Sequence, residues 1–340
     1  MNRTQEAPSA VARQAAVLAA GREVLVAQLK PLVAAAPAVA LLDFPAHSNV
    51  GDSAIWLGAL AALRAAGAPA PAYTCDADNY DRTALARAVG GGTILFTGGG
   101  SFGDLWEKHL RFRERVVADF PDNPIVQLPE SVCFLRAESL ARSCDVFNAH
   151  RRVTLMARDA ASLAIFRGAF SAPSHLAPDL AFMLGALERP ALPVRDILWL
   201  KRDDKEDRWQ GQVDVETVDW VQEPQTRLIR WSKRLRAAAD ERPVLRPLDR
   251  RLQPIGYPYL AAQRLARGVA LLSSAKVVVT DRLHAHLLAL LLGIPHVVLD
   301  NSYGKLHNFI AAWTHASPLV HVASDPAAAA AQAHALLADA

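Results

Sequence analysis

The most regular hydrophobic pattern of the chain lies between residues 276 and 308. The apolar run Lys276-Val277-Val278-Val279-Thr280 is rich in β-branched residues, which is typical of a buried parallel strand. Asp281 follows at a helix N-cap position, and the apolar body of the helix covers 287–292. A Gly-Ile-Pro sequence ends that helix, and 296–300 is the next apolar run. The pattern therefore predicts one β-α-β unit.

Short apolar strands alternate with helical patterns along the rest of the chain. A leading helix is predicted at 11–29, with Pro31 at its end, and a late one at 259–272. The strands are predicted at 38–44, 93–97, 125–128, 153–157, 196–201 and 319–323. This alternation favours an α/β fold with two doubly wound, Rossmann-like domains facing a cleft. A segment with two prolines and a glycine, 185–193, is the predicted linker between domains at 1–187 and 194–340.

Composition agrees with a folded protein of this kind. The chain has 340 residues, of which 51% are hydrophobic and 21% charged, which excludes a disordered protein. The net charge of +3 suits an anionic substrate and is too small to indicate nucleic acid binding. Three cysteines, without metal-ligand spacing, indicate a reducing cytoplasm, and we expect neither a metal site nor a cofactor. No apolar run is long enough for a membrane span, and arginines interrupt the Ala-rich start, which argues against a signal peptide.

Candidate chemistry lies at the start of the helix in the 276–308 unit. In an open α/β sheet, ligands bind at the carboxyl ends of the strands, where this helix begins. Arg282 lies in its first turn, where backbone N–H groups and the helix dipole favour an anion. His284 is two positions on and is able to exchange protons near neutral pH. His286 points to another side of the helix, and we expect it to be a tolerated polar residue.

Two loops in the first half follow predicted strands. The loop 45–52 enters a helix and contains Asn49, Gly51 and Asp52, where either a ligand or a plain N-cap explains the sequence. The second loop, Gly98-Gly99-Gly100-Ser101-Phe102-Gly103-Asp104, matches G-x-G-x-x-G, with Glu130 as the ribose-binding acid. Asp104 places a negative charge where a pyrophosphate would bind, so a dinucleotide site is not favoured.

These segments together resemble the polysaccharide pyruvyl transferase family. The resemblance is densest at 273–308, with its Arg-Leu-His-Ala core, Gly-Ile-Pro and Lys305, and extends to Asn49-Val50-Gly51-Asp52, Arg158-Asp159 and Pro178-Asp179. It implies a fold similar to GT-B glycosyltransferases. It also implies transfer of pyruvate from phosphoenolpyruvate, as a cyclic ketal, to a sugar of an exopolysaccharide or cell-surface polysaccharide precursor that is lipid-linked.

The resemblance, together with the residue chemistry, assigns a role to each candidate. His284 is the expected acid, with Asp52 or Asp104 accepting the sugar's proton or positioning its hydroxyls. The donor-binding cations are Arg158, Arg282 and Lys305. The acceptor-binding residues are Asn49, Gly51, Gly99, Gly100 and Ser101.

Two alternative functions remain at this point. One is a nucleotide-sugar glycosyltransferase on the same architecture, and the other is a non-catalytic sugar-binding subunit.

Two segments also have two interpretations each. The basic segment 227–251 is either a solvated helix face or a peripheral contact with the inner face of the cytoplasmic membrane. The tryptophans between 199 and 231 either stack on sugars or belong to the core, and the charge run 201–207 is expected to be a solvated loop.

Overall fold

The structure is a computed structural model of the whole chain. It describes residues 10–202, 208–209, 215–223, 230, 234, 237–238, 241–300 and 304–338. By compactness, these residues divide into two units. Unit A comprises Val24–Met183 and Trp220–Arg267, and unit B comprises the described residues of 1–23, 184–219 and 268–340.

Unit A is built on a seven-stranded sheet. Its strands are β1 (Val39–Leu42), β2 (Tyr73–Cys75), β3 (Thr93–Phe96), β4 (Gly99–Phe102), β5 (Ile125–Val132), β6 (Val153–Ala157) and β7 (Ser174–Leu176). The order is β2-β1-β3-β5-β6-β7, with β4 paired to β5 beyond β3, and every described pairing is parallel. The central strands are buried on both faces, which explains their continuous apolar sequences.

Helices flank this sheet. They are the part of α1 (Ala10–Val33) from Val24 onward, α2 (Val50–Ala65), α3 (Arg82–Val89), α4 (Glu107–Asp119), α5 (Ala137–Ala149) and α6 (Ala160–Ala169). The predicted end of the first helix at Pro31 is wrong by two residues, because α1 continues to Val33 with the proline inside it. Gly58 allows α2 to pack closely against the backbone at Leu180, since a Cβ at position 58 would lie 2.0 Å from the carbonyl oxygen of Leu180.

Unit B is built on a four-stranded parallel sheet of order β11-β10-β9-β8. Its strands are β8 (Arg195–Leu200), β9 (Ala275–Thr280), β10 (His296–Leu299) and β11 (Val320–Ala323). The helices after β8 are α7 (Arg246–Ser273), α8 (Leu283–Leu291), α9 (Lys305–Phe309) and α10 (Pro326–Ala338). The predicted β-α-β unit is therefore confirmed as β9-α8-β10. The helix cap differs, because Arg282 and not Asp281 holds the N-cap position of α8.

The units differ from the predicted domain boundary. The described residues of 220–267, which the sequence places after the linker, pack with unit A. The reason lies in α7, which starts at residue 246 and not near 259. Tyr257 on this helix stacks on Phe44 with ring centroids 3.9 Å apart, and Arg264 donates to the carbonyl oxygen of Pro45 at 2.9 Å. Among the described helices, each is too short or too polar to cross a lipid bilayer.

Candidate active site

The loop after β1 carries the first predicted site residues in unit A. Asn49 is the N-cap of α2, and its side-chain oxygen accepts from the Gly51 N–H at 3.2 Å. Its amide nitrogen donates to Asp52 at 2.8 Å. Asp52 keeps 29% of its side chain exposed and lies 3.5 Å from Nε2 of His47. This loop therefore places one accessible carboxylate and one capping amide at the carboxyl end of β1.

The glycine-rich segment lies beside Asp52. Gly99 has φ +143°, and a Cβ built there would lie 3.8 Å from both Asp52 Oδ1 and Glu130 Oε2. Gly100 and Ser101 continue along β4. The backbone N–H groups of Ser101 and Phe102 both donate to Oε1 of Glu130. The segment is thus a strand in which two N–H groups are occupied by Glu130, so the alternative of a dinucleotide lacks its phosphate-binding turn.

Glu130 is a fully buried carboxyl at the bulged end of β5. Burial raises its pKa, although Arg113 and Arg158 act in the opposite direction. Its Oε2 has no hydrogen-bond partner among the described residues and lies 3.9 Å from Nη2 of Arg113. Glu130 therefore holds the glycine segment in place through Oε1. Its Oε2, which has no hydrogen-bond partner among the described residues, lies close to Gly99.

Both carboxylate oxygens of Asp104 accept hydrogen bonds from the residues just before α5. It accepts from the Leu135 N–H at 2.7 Å and from the N–H and Nε of Arg136 at 2.9 and 3.1 Å. Burial opposes its ionisation, but these hydrogen bonds prevail and hold the pKa of Asp104 below its ordinary value. A carboxylate so fully used is a poor proton acceptor. We therefore assign Asp104 to joining the glycine segment to the start of α5.

Arg158 is buried at the carboxyl end of β6. Its Nη1 donates to Asp179 at 2.7 Å and its Nε donates to the Ser131 hydroxyl at 2.8 Å. Ser131 in turn donates to Asp159 at 2.7 Å. Arg158 and Asp179 are 3% and 0% exposed, so this cation is paired inside unit A. Arg158 therefore lies in a buried hydrogen-bond network at this edge of the sheet, and its role as a donor-binding cation stays a prediction.

Sequence reasoning missed three residues with ionisable side chains next to this cluster. Asp43 follows β1 directly, and its Oδ1 lies 2.8 Å from Nδ1 of His109 on α4. Its Oδ2 lies 3.2 Å from Nη2 of Arg113, a fully buried guanidinium that also donates to the Ser101 hydroxyl at 2.9 Å. The partners are more than 60 residues apart, so no local pattern indicates the contact. The one available signal is an aspartate directly after a predicted strand.

The second cluster lies in unit B, at the carboxyl ends of β8 and β9. Arg282 is buried and forms an ion pair with Asp219. Asp281 is 1% exposed, and its Oδ1 accepts from the Arg202 N–H at 2.8 Å. Burial raises the pKa of Asp281 to about 6, against the lowering effect of Arg202, Arg282 and Lys201. Three cations therefore surround one buried carboxyl. Lys201 and Arg202 are both half-buried and not fully solvated as their charge run predicts.

His284 and His286 lie on different sides of α8, as predicted. His284 is half-buried, whereas His286 is fully buried. His296 donates from Nδ1 to the Ile294 carbonyl at 2.8 Å, so its Nε2 accepts from Nδ1 of His286 at 2.7 Å. Nε2 of His286 then accepts from the Thr314 hydroxyl at 3.0 Å. Burial lowers the pKa of His286 well below its ordinary value and that of His296 to about 4, so both rings are neutral core residues.

Lys305 begins α9 after Gly304, whose φ is +69°. The described tryptophans favour the core alternative, since Trp199, Trp209 and Trp220 are all buried. Trp231, most of 227–236 and 203–207 lie outside the described residues. Within the part of the chain that is described, no group of three or more His, Cys, Asp or Glu side chains is arranged to hold a metal ion.

Comparison with known proteins decides the family. The family model described as polysaccharide pyruvyl transferase matches residues 49–303. The chain belongs to the polysaccharide pyruvyl transferase family. It is similar to pyruvyl transferase 1 of Schizosaccharomyces pombe, with 31% identity over 83% of this chain and 71% of that protein. It is also similar to EpsO of Bacillus subtilis, named a putative pyruvyl transferase, with 30% identity over 81% of this chain and 85% of that protein.

A solved structure supports the fold. The crystal structure of an uncharacterized Klebsiella pneumoniae protein, KP1_0663, superimposes with a TM-score of 0.59 over 89% of this chain and 98% of that chain. The identity is 15%, so this likeness concerns the α/β fold alone. The chain is therefore a transferase of a polysaccharide pyruvyl transferase family with a Rossmann-like α/β fold. The matched range includes both clusters but stops short of Lys305 and starts after Asp43.

Proposed function

We propose that this protein transfers pyruvate from phosphoenolpyruvate, as a ketal, to a sugar of a lipid-linked precursor of an exopolysaccharide or cell-surface polysaccharide. No cofactor is required by this chemistry, because phosphoenolpyruvate carries both the carbon unit and the leaving group. The relatives named above are pyruvyl transferases by name, which supports the transferred group. The GT-B-like arrangement stays a prediction.

One observation carries the choice of donor. Lys201, Arg202 and Arg282 all act electrostatically on Asp281 at the carboxyl ends of β8 and β9. Phosphoenolpyruvate is small and has a phosphate and a carboxylate, so its binding site needs several cations within a short distance. Lys305 begins the helix that follows β10 and remains a proposed fourth cation.

His284 is the proposed acid. It lies one residue into α8, next to Leu283 and two positions from Arg282, and it is partly accessible. Ketal formation requires a proton at the methylene carbon of phosphoenolpyruvate, and a histidine delivers one near neutral pH. The buried His286 has no access to this role.

The acceptor sugar is assigned to the unit A cluster. Asn49, Asp52 and Ser101 offer the amide, carboxylate and hydroxyl groups that bind sugar hydroxyls. Gly51, Gly99 and Gly100 keep side-chain volume away from this edge of the sheet, as the Gly99 geometry illustrates.

A lipid-linked acceptor fits an exposed apolar stripe on α7 and the turn before it. Val244, Leu248, Ile255 and Tyr259 are 81%, 48%, 72% and 44% exposed and recur at helical spacing. Arg251 is exposed between them. We assign this stripe, together with Arg251, to the surface of an anionic bilayer, because apolar and basic side chains on one face suit that surface. The basic segment 227–251 joins this proposal by its sequence alone.

Vesicle co-sedimentation tests the bilayer contact. The protein is expected to sediment with phosphatidylglycerol-containing vesicles and not with phosphatidylcholine alone. The double variant Ile255→Ser with Arg251→Glu should lose this binding, while Leu192→Ser, at an exposed leucine elsewhere, should keep it. Equal binding of both variants would show that the stripe is only a solvated helix face.

Donor binding tests the proposed reaction. Phosphoenolpyruvate is expected to raise the thermal unfolding temperature, because a ligand at about 100 times its Kd stabilises a fold by roughly 2.7 kcal/mol. UDP-glucose should not. Stabilisation by UDP-glucose instead would favour a nucleotide-sugar glycosyltransferase, and stabilisation by neither would favour a non-catalytic subunit.

Two substitutions separate binding from chemistry. His284→Ala should remove ketal transfer with the fold and donor binding retained, and Arg282→Ala should chiefly raise the KM for phosphoenolpyruvate. The controls are His315→Ala and Arg195→Ala, at exposed positions away from the carboxyl ends of β8 and β9. Mass spectrometry of the product sugar measures the transfer. A near-normal turnover of His284→Ala would remove this histidine from the mechanism.

A further inference from the structure

Asp43 has the least ordinary backbone in the described part of the chain. Its φ is +68°, and it is the one non-glycine residue there with a positive φ. Such a conformation is strained for most side chains and is tolerated best by aspartate and asparagine. The residue lies directly after β1, at the edge of the sheet where ligands bind in this fold class. The strained backbone holds a buried carboxyl, 3% exposed, at that edge.

The two oxygens of this carboxyl have separate partners. Oδ2 faces Arg113, which is fully buried, and Oδ1 faces Nδ1 of His109. Burial opposes ionisation of Asp43, but Arg113, His109 and His47 outweigh it and hold the pKa of Asp43 below its ordinary value. The carboxylate is therefore charged and accepts from the imidazole, so Nδ1 of His109 carries a hydrogen.

This hydrogen bond fixes which nitrogen of His109 is basic. With the hydrogen on Nδ1, the lone pair of the neutral ring is on Nε2. Nε2 has no hydrogen-bond partner among the described residues, and the side chain is 23% exposed. A buried carboxylate behind a partly exposed imidazole is the arrangement that orients a general base and stabilises its protonated form.

Asp43, which holds the imidazole, is linked to two of the sugar-binding groups through Arg113 and His47. Arg113 contacts both Asp43 and the Ser101 hydroxyl through one nitrogen, Nη2. His47 acts electrostatically on Asp43 and lies 3.5 Å from Asp52. The ionisable groups that act on Asp43, besides His109, are therefore Arg113 on the same helix as His109, His47 from the loop after β1, Glu130 from β5 and Cys75 from β2.

We propose that His109 is the general base for the acceptor hydroxyl and that Asp43 is its positioning residue, an inference that rests on the proposed function. The hydroxyl oxygen forms a bond to C2 of phosphoenolpyruvate while its proton passes to Nε2 of His109. The electron pair of the C2–C3 double bond takes a proton from the general acid at C3.

The second step completes the balance. The bond between C2 and the phosphate oxygen breaks, and its electron pair leaves with inorganic phosphate. The second sugar hydroxyl bonds to C2, and its proton leaves with that phosphate. His109 then releases its proton to solvent, and the general acid takes up a proton from solvent, so both groups are ready for the next turnover. Asp52, the other candidate base, instead binds the sugar through its accessible carboxylate.

The test uses steady-state kinetics on the full chain with the saccharide acceptor. His109→Gln should lower kcat by about 100-fold or more, the range of general base catalysis, with the KM for phosphoenolpyruvate within about twofold. Added imidazole should restore part of the activity to His109→Ala. Asp52→Asn should chiefly raise the KM for the acceptor. His175→Gln, at an exposed histidine of the same unit, should behave as wild type.

Asp43→Asn separates charge from backbone, because asparagine also accepts a positive φ. Without the carboxylate, protonated His109 is less stable, so the acid limb of the pH profile of kcat/KM should move to lower pH and kcat should fall. A purely structural pair would lower the urea midpoint without moving this limb and would leave His109→Gln near normal in kcat, and that result would overturn the proposal. If wild type itself transfers no pyruvate, the proposed function fails instead.

Discussion

At the scale of residues, the buried ionisable groups of unit B respond to pH in opposite directions. The pKa of Asp281 is raised to about 6, and that of His296 is lowered to about 4. Between about pH 4 and 6, Asp281 binds more protons in the folded protein than in the unfolded chain. Between about pH 4 and 6.5, His296 binds fewer protons in the folded protein than in the unfolded chain. Stability from Asp281 is therefore lost as pH rises from about 4 to 6. Stability from the histidine is lost as pH falls from about 6.5 to 4.

The first prediction isolates Asp281. Asp281→Asn should gain stability relative to wild type as pH rises from 4 to 7, by up to roughly 3 kcal/mol, because the variant has no buried charge to form. Urea unfolding at several pH values measures the difference, in which the histidine contribution cancels. The control is Asp196→Asn, at an exposed carboxylate on β8, whose difference from wild type should stay flat. A flat difference for Asp281→Asn as well would mean that the cations around Asp281 fully offset its burial.

The candidate residues show what a sequence pattern can locate. Asn49, Asp52, Arg282 and His284 were predicted because each follows an apolar strand and begins a helix, and the structure places them at those ends. The partners of those residues depend on contacts between distant segments. Arg158 reads as an accessible cation until Asp179, from another segment, is seen to pair with it.

At the scale of elements, hydrophobic period locates the strands whose sequences are apolar throughout. β1, β3, β6 and β9 were found this way. β4 was not found, because Gly-Gly-Ser-Phe has little strand propensity. In addition, β4 pairs only with the last residues of β5, from Glu130 to Val132, after the register of β5 has shifted. β2 and β7 have three residues each, too few to show a period.

Close packing of α2 gives the second prediction. Gly58→Ala should destabilise the protein strongly, by several kcal/mol, because its Cβ would lie 2.0 Å from a backbone oxygen that cannot move alone. Gly168→Ala is the matched helical control, since nothing lies within 4 Å of the added carbon. It should gain roughly 0.5–1 kcal/mol from helix propensity. Urea midpoints decide between them, and equal effects of both changes would contradict the packing of α2 on Leu180.

At the scale of the whole molecule, unit A is discontinuous in sequence. The chain leaves it after Met183 and returns at Trp220. Tyr257 and Arg264 from the returning segment cover Phe44 and the Pro45 carbonyl. Composition and linker signals could not show this, because a Pro/Gly-rich stretch marks where a chain turns and not which segments later pack together.

The third prediction follows from this layout. Fragment 1–187 should unfold without cooperativity, because it lacks the segment that covers the aromatic cluster of Phe44 and Trp56. Fragment 1–267 contains all of unit A and should show a cooperative urea transition. Fluorescence of the buried Trp56 and far-UV circular dichroism measure both. A cooperative transition of the shorter fragment would show that 220–267 is dispensable for this unit.

The same discontinuity acts while the protein is being made. When Met183 has been synthesised, the segment that covers Phe44 is still untranslated, and at roughly 5–20 residues per second its last residue follows about 4–17 s later. Throughout that interval the nascent chain exposes an aromatic surface that water solvates poorly. Ribosome-associated chaperones that recognise such surfaces therefore have seconds in which to bind this chain before unit A is complete.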